Sequence, residues 1–180
     1  MLFSAGVPPL TRLGAESEIT LQFEDAGIPV RVHAYGRRDP VLIRGRGIVV
    51  KLRGSCRDDV GSDLARFRGP MGWTHMTDGE ILPIVEIDCE SIRLHTLMGM
   101  FARDRSLRGL LYARAVGRVI AHEIYHVLAA TRIHSTTGLA MPRLSPEDLT
   151  DGRLRFDVEA AGRMRRNLRW FPGSGPCPAE

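Results

Sequence analysis

Hydrophobic residues recur at every second position in the first half of the chain, which is the period of a β-strand. Ile19, Leu21 and Phe23 alternate with polar neighbours, and four later segments show a similar enrichment. The pattern predicts strands over residues 18–25, 30–35, 41–52, 72–76 and 80–88. Pro83 lacks a backbone donor, so we expect residues 81–88 to form an edge strand.

The hydrophobic period becomes helical after Cys89. We expect one short helix over 90–102 and a long helix that begins at Ser106, a residue type favoured as an N-cap. The long helix is apolar on most of its faces, which indicates that it runs through the middle of the domain. A further short helix is predicted near residues 63–67, within a polar segment.

Two more helices are predicted near the end of the chain. Ser145 is a suitable cap for the first, with Pro146 in its opening turn. The second, over residues 157–170, is amphipathic and rich in arginine. Its arginines are expected to face solvent, above a packed side that contains Val158, Ala161 and Leu168.

The order of these elements predicts an α+β fold. A small, twisted, mainly β N-terminal half is expected to pack on one buried helix, followed by a C-terminal helical segment. The chain has 180 residues, of which 43% are hydrophobic and 26% charged, as in one ordinary globular domain. We expect a flexible tail at 1–17, a single domain at 18–171 and a flexible tail at 172–180.

The basic charge of the chain comes almost entirely from arginine. The formal net charge is +4, and Lys51 is the single lysine. The arginines are scattered rather than grouped in a block, so we expect no nucleic-acid partner. An arginine-rich nucleic-acid-binding protein is retained only as a minor alternative.

Cysteine content and the N-terminus give little information about the compartment. The chain has three cysteines, Cys56, Cys89 and Cys177. Their odd number and wide spacing argue against a disulfide framework or an all-cysteine zinc site. One disulfide is compatible with the spacing, but the pair is not identified. The N-terminus does not resemble a signal peptide, and no segment has the length of a membrane span. We expect a protein that stays inside the cell, or one exported with a leader absent from this chain.

The long helix contains the pattern H-E-x-x-H at His122, Glu123 and His126. Residues four apart on a helix lie on one face, one turn apart, so both imidazoles can reach a single metal ion. Imidazole nitrogen binds zinc at about 2.0–2.1 Å. Glu123 points about 100° away from His122, where it can transfer protons without binding the metal.

Residues 106–142 resemble the zincin metallopeptidases and, among these, the metzincins. The resemblance implies a β-sheet beside an active-site helix, a zinc cofactor, a third histidine after the helix and a methionine turn below the metal. The usual metzincin string is H-E-x-x-H-x-x-G-x-x-H, but Ala129 and Arg132 occupy the positions of its glycine and third histidine. His134 follows two residues late, and Met141-Pro142 resembles the methionine turn.

The third metal ligand remains open between three residues. His134 is favoured, which gives His122, His126 and His134 as the expected zinc ligands. Glu147, which forms E-x-x-x-D with Asp151, resembles the ligand of the thermolysin-like zincins, and Glu159 is a further candidate.

Two arginines of the long helix lie on the row of the histidines, nearer its start. Arg114 and Arg118 either border the cleft and hold a substrate carboxylate or form a solvated stripe, and the stripe is favoured.

The sequence therefore predicts a zinc-dependent metallopeptidase that hydrolyses peptide bonds in a peptide or protein substrate. Glu123 is expected to act first as general base and then as general acid. An extended peptide could pair with the expected edge strand at 81–88. The main alternative is a zinc-binding domain that no longer cleaves peptides and serves as a binding module. The oligomeric state is not predicted.

Overall fold

A computed structural model describes residues 2–3, 7–34, 47–57, 69–100 and 103–169. Strands and helices are both present in these ranges, which confirms the α+β class. Chain order gives β1 (Leu2–Phe3), α1 (Pro9–Asp25), β2 (His33–Ala34), β3 (Val49–Arg53), β4 (Gly72–Thr77), β5 (Glu80–Asp88), α2 (Cys89–Met100), α3 (Arg105–Ala129), α4 (Pro146–Thr150) and α5 (Val158–Arg169). The predicted helix near 63–67, the tail at 172–180 and residues 41–46 of a predicted strand lie outside the described residues.

The strands form one sheet in the order β2-β1-β3-β5-β4. β1 and β2 have two residues each, so β3, β4 and β5 make up most of the sheet. β3 runs parallel to β5, and β4 pairs antiparallel with the other side of β5. β4 is therefore an edge strand that lies beside α3.

The prediction that residues 81–88 form an edge strand is wrong, because β5 has a partner on each side. Pro83 is tolerated for a local reason. Pairing of β3 with β5 starts only at Ile84, and pairing of β4 with β5 is irregular between Thr74 and Met76, opposite Pro83. Neither ladder needs a backbone donor at this position.

The predictions of a flexible tail at 1–17 and a strand at 18–25 are also wrong, because residues 9–25 form α1. Ile19 and Phe23 alternate with Leu21, but they also lie four residues apart, on one face of a helix. Both are fully buried, together with Ala15, whereas Leu21 is 38% exposed. Burial along α1 therefore follows the helical period.

α3 is buried along most of its length, as predicted, between α1 and the sheet. Its N-cap is Asp104, whose carboxylate accepts from the Leu107 N–H at 2.9 Å, so the prediction of Ser106 is wrong. α1 approaches α3 closely because Gly117 has no side chain. A Cβ at Gly117 would lie 2.8 Å from the Ala15 carbonyl oxygen.

Arg118 and Arg114 hold α1 and α4 against α3. Arg118 is fully buried, with its Nε donating to Glu18 at 2.9 Å and its Nη1 to the Asp148 carbonyl at 2.6 Å. Arg114 donates to the Thr150 carbonyl at 2.7 Å. Neither arginine lines the cleft described below, so the alternative of a cleft border is wrong. The prediction of a solvated stripe is wrong for Arg118, which is buried, whereas the Arg114 side chain is 36% exposed.

The two C-terminal helices begin close to the predicted positions. Ser145 and Asp148 form a capping box at the start of α4, with Pro146 in its first turn. On α5 the buried residues are Ala160, Ala161 and Met164, whereas Val158 is 85% exposed. The assignment of Val158 to the packed side is therefore wrong.

A disulfide joins Cys56 to Cys89, the pair that the sequence left unidentified. It connects the segment after β3 to the first residue of α2. Cys177 lies outside the described residues. Among the described helices, none combines the length and the apolar character needed to span a membrane.

Candidate metal centre

The fold brings three histidines together at the C-terminal end of α3. His122 and His126 project from the helix, and His134 returns from the segment that follows it. One ring nitrogen from each lies within 4.8 Å of the other two. This group could hold a metal ion, and it is the one group of three or more such ligands found in the described ranges.

The return of His134 depends on a sharp turn just after α3. The helix ends at Ala129, and Ala130 adopts the left-handed conformation with φ 45° and ψ 48°. The Ala130 and Thr131 N–H groups donate to the carbonyls of Val127 and His126, at 3.2 and 3.1 Å. The chain thus turns one residue after the position of the metzincin glycine, and an alanine makes the turn.

Hydrogen bonds fix the orientation of two imidazoles. Nδ1 of His122 donates to the Leu139 carbonyl at 2.8 Å, and Nδ1 of His126 donates to the Thr131 carbonyl at 2.8 Å. A carbonyl only accepts, so each Nδ1 carries the proton, and each Nε2 of the neutral rings presents a lone pair. Carbonyl partners of this kind also orient histidines that bind metals.

The spacing of these lone pairs fits a metal ion. The Nε2 atoms of His122 and His126 lie 3.3 Å apart, although two lone pairs repel each other unless a cation lies between them. Two nitrogens that bind one tetrahedral zinc at about 2.0–2.1 Å are separated by about 3.4 Å. The pair is therefore already spaced as ligands of a single ion.

Burial keeps the three imidazoles neutral. The pKa of His122 is lowered to about 4, mainly by burial and to a smaller extent by repulsion from His126 and His134, while the bond to the Leu139 carbonyl acts in the opposite direction. Burial is also the main cause of the lowered pKa values of His126 and His134. Only the neutral ring offers a lone pair to a metal, so this environment favours the binding form.

Glu123 lies beside the histidines without joining their group. Its carboxylate is buried and accepts from the Thr74 hydroxyl of β4 at 2.8 Å. Burial raises the pKa of Glu123 to about 7, and the bond from Thr74 opposes that rise. Gly72 leaves room for this arrangement, because a Cβ there would lie 3.0 Å from the Glu123 Cγ.

A cleft of about 1280 Å³ opens over the histidines and Glu123. It lies between β4, α2 and the segment from residue 131 to residue 144. Its lining is mainly apolar, with two arginines, and includes Met76, Leu94, Leu97, Arg132, Met141 and Arg143. Met141 of the predicted methionine turn thus lies in the wall of the cleft.

The competing ligand candidates lie elsewhere. The Glu147 side chain is exposed on α4, and neither Glu147 nor Glu159 belongs to the metal-binding group of the described residues. Glu159 instead pairs with Arg163 at 2.6 Å. Of the three candidates for third ligand, the structure brings only His134 to the other two histidines.

Several residues that shape the site carry no sequence motif. Thr74 and Gly72 contact Glu123 from β4, and the Leu139 and Thr131 carbonyls orient the histidines. A short strand was predicted at residues 72–76, but its position against α3 follows only from the assembled sheet. Every residue has a backbone carbonyl, so the residue type does not reveal which carbonyls accept from the histidines.

Comparison with known proteins found no matching family model, no similar curated protein and no similar solved structure.

Proposed function

We propose that this protein is a zinc-dependent metallopeptidase with a zincin-like active site. The observation that supports this most is the group of His122, His126 and His134 with Glu123 beside it, at the floor of an open cleft. Three nitrogen ligands leave a fourth position for water or substrate, which is the pattern of catalytic zinc sites. Zinc is favoured over magnesium or calcium because those ions prefer oxygen ligands.

Each residue has a defined role in the proposed hydrolysis. His122, His126 and His134 would hold the ion, which when bound lowers the pKa of water and polarises a peptide carbonyl. Glu123 accepts a proton from the attacking water and then donates it to the leaving amine. The Thr74 hydroxyl holds the Glu123 carboxylate at 2.8 Å on the cleft side of α3.

The strand that would receive a peptide is β4 rather than the predicted segment 81–88. β4 lies at the edge of the sheet, and its residues Gly72, Thr74 and Met76 line the cleft. An extended peptide can add to such an edge through backbone hydrogen bonds. We propose this mode of binding, with Met141-Pro142 as a methionine turn beside the metal.

Zinc content distinguishes the proposed third ligand from its rival. We expect His134→Ala to lose most of the zinc that the wild type retains after dialysis, because only two of the three imidazole ligands would be left to bind it. Glu147→Ala, which alters an exposed side chain, should retain it. Zinc measured by elemental analysis, at equal folded fraction by circular dichroism, decides the point. Loss of zinc from Glu147→Ala, with zinc retained by His134→Ala, would contradict the assignment.

Hydrolysis itself is tested with a library of quenched fluorescent peptides. The wild type is assayed as purified, after removal of metal by a chelator, and after return of one equivalent of zinc. Activity that disappears and returns supports the proposal. Stoichiometric zinc without cleavage of any peptide would instead indicate a binding module. Protein that lacks zinc and binds DNA with a steep salt dependence would indicate a nucleic-acid-binding protein.

A further inference from the structure

The cleft carries positive charge that no described side chain pairs with. Arg132 and Arg143 line it, and both side chains are exposed. Neither guanidinium forms an ion pair or a hydrogen bond with another residue in the described ranges. Several arginines elsewhere in these ranges are paired with acids, as in Arg12–Glu16, Arg155–Asp25 and Arg163–Glu159.

Glu123 is the only carboxylate among the described residues of the cleft lining. It is buried and held by Thr74, so it does not neutralise the two arginines at the mouth of the cleft. Guanidinium groups bind carboxylates through paired N–H donors, and an attraction of this kind strengthens where water is partly excluded. The cleft is therefore complementary to a ligand that carries a carboxylate.

We propose that the cleft binds peptides with a carboxylate close to the bond to be cleaved, and that Arg132 and Arg143 determine this specificity. The inference rests on the proposed peptidase function, because it names the substrate class of the same site. Both arginines belong to the segment that carries His134 and Met141, and they line the same cleft as the three histidines. The carboxylate can belong to an aspartate or glutamate side chain or to the C-terminus of the substrate.

Binding can be measured apart from cleavage in zinc-loaded Glu123→Gln protein. Three labelled peptides of one sequence are compared by fluorescence anisotropy. The first has internal glutamates and an amidated C-terminus, the second has glutamines and a free C-terminus, and the third has glutamines and an amidated C-terminus. We expect one of the first two peptides to bind about three- to tenfold more tightly than the third. Added salt should reduce the difference.

The matched variants are Arg132→Gln and Arg143→Gln, with Arg166→Gln as the control. Arg166 is exposed on α5 and does not line the cleft. We expect the preference for the carboxylate to fall in the first two variants and to persist in the control. Equal binding of all three peptides to the parent protein would overturn the proposal. A preference for the carboxylate without any cleavage by the wild type would support carboxylate binding by Arg132 and Arg143, but it would contradict the peptidase function and with it the assignment of the bound peptide as a substrate.

A second inference comes from the hydroxyl of Tyr125, which lies inside H-E-x-x-H but outside the metal-binding group. Tyr125 is fully buried, and its hydroxyl donates to the Ile133 carbonyl at 2.8 Å. Arg163 of α5 donates to the same hydroxyl oxygen at 3.0 Å. A guanidinium only donates, so the phenolic hydrogen is directed to Ile133.

We infer that Tyr125 is a positioning residue for His134. Ile133 directly precedes His134, so the bond to its carbonyl restricts the peptide unit that joins the two residues. Arg163 in turn is held by its ion pair with Glu159 at 2.6 Å. The three side chains thus connect α5 and α3 to the segment that supplies the third imidazole.

The test is the zinc affinity of Tyr125→Phe, measured by competition with a chromophoric chelator. We expect affinity to fall about tenfold, as when a partner that orients a metal ligand is removed. Tyr112→Phe is a matched control on the same helix. Tyr112 is also fully buried, and its hydroxyl donates to the Cys89 carbonyl at 2.9 Å.

Loss of a buried hydroxyl should lower the free energy of unfolding in both variants, so stability does not distinguish them. Only Tyr125→Phe should lose zinc affinity. Unchanged affinity in Tyr125→Phe, or an equal loss in both variants, would overturn the inference. Failure of the wild type to bind zinc would overturn it as well.

Discussion

Glu123→Gln is expected to lower kcat/KM for peptide hydrolysis by about 10²- to 10⁴-fold, the usual contribution of a general acid–base group. Glutamine preserves the shape of the side chain and can still accept from Thr74, but it cannot take a proton from water. Zinc should remain bound, because Glu123 is not one of the three proposed ligands. Steady-state rates and zinc content, measured on the same preparations, separate the two effects.

Glu147→Gln serves as the control for the loss of one carboxylate. Glu147 is exposed on α4 and does not line the cleft, so its replacement should leave the hydrolysis rate unchanged. Equal rates for the wild type and Glu123→Gln would show that another group, or a contaminating enzyme, is responsible for the cleavage. Loss of zinc from Glu123→Gln would place the carboxylate among the ligands.

Glu18→Ala is expected to lower the free energy of unfolding by about 3–5 kcal/mol, because it leaves the Arg118 guanidinium buried without its partner. Arg118 is fully buried and Glu18 is 7% exposed. Burial lowers the pKa of Arg118, while the hydrogen bond and the charge of Glu18 act in the opposite direction. Urea unfolding of metal-free proteins measures the loss without a contribution from bound zinc.

Glu16→Ala on the same helix provides the matched control. Its ion pair with Arg12 is partly exposed, and pairs of this kind contribute about 0–1 kcal/mol. The double variant Glu18→Leu with Arg118→Met removes both buried charges, so it should be more stable than Glu18→Leu alone. If Glu18→Ala costs no more than Glu16→Ala, the buried pair does not hold α1 to α3.

The sequence predicted α3 and its motif because local features agree there. A helical hydrophobic period continues through H-E-x-x-H, and residues four apart necessarily share a face. α1 was missed because Ile19 and Phe23 fit the period of a strand as well as that of a helix. Leu21 is exposed while Ile19 and Phe23 are buried, so burial follows the helical period.

Residues whose partners are remote in sequence could not be predicted. Arg118 was expected on a solvated stripe, but its partner Glu18 lies 100 residues away and reaches it only when α1 packs on α3. Likewise, Pro83 suggested an edge strand, whereas the pairing of β3 and β4 around it decides the order of the sheet. The conformational preference of one residue does not determine which residues remote in sequence lie beside it in the folded protein.

The sequence favoured His134 as the third ligand, but it did not predict the backbone conformation that places His134 beside His122 and His126. That conformation requires Ala130 in the left-handed region, which alanine seldom adopts. It also uses the bond from Tyr125 to Ile133. Both features depend on the packing of residues 130–144 against α3 and α5, so a motif with fixed spacing does not contain them.

Anomalous diffraction at the zinc absorption edge, from crystals of the zinc-loaded protein, identifies the residues that bind the metal. We expect one strong peak about 2.0–2.1 Å from a ring nitrogen of each of His122, His126 and His134, with a solvent ligand on the side of Glu123. A zinc ion bound by Glu147 in place of His134, or zinc found only outside the three histidines, would contradict this expectation.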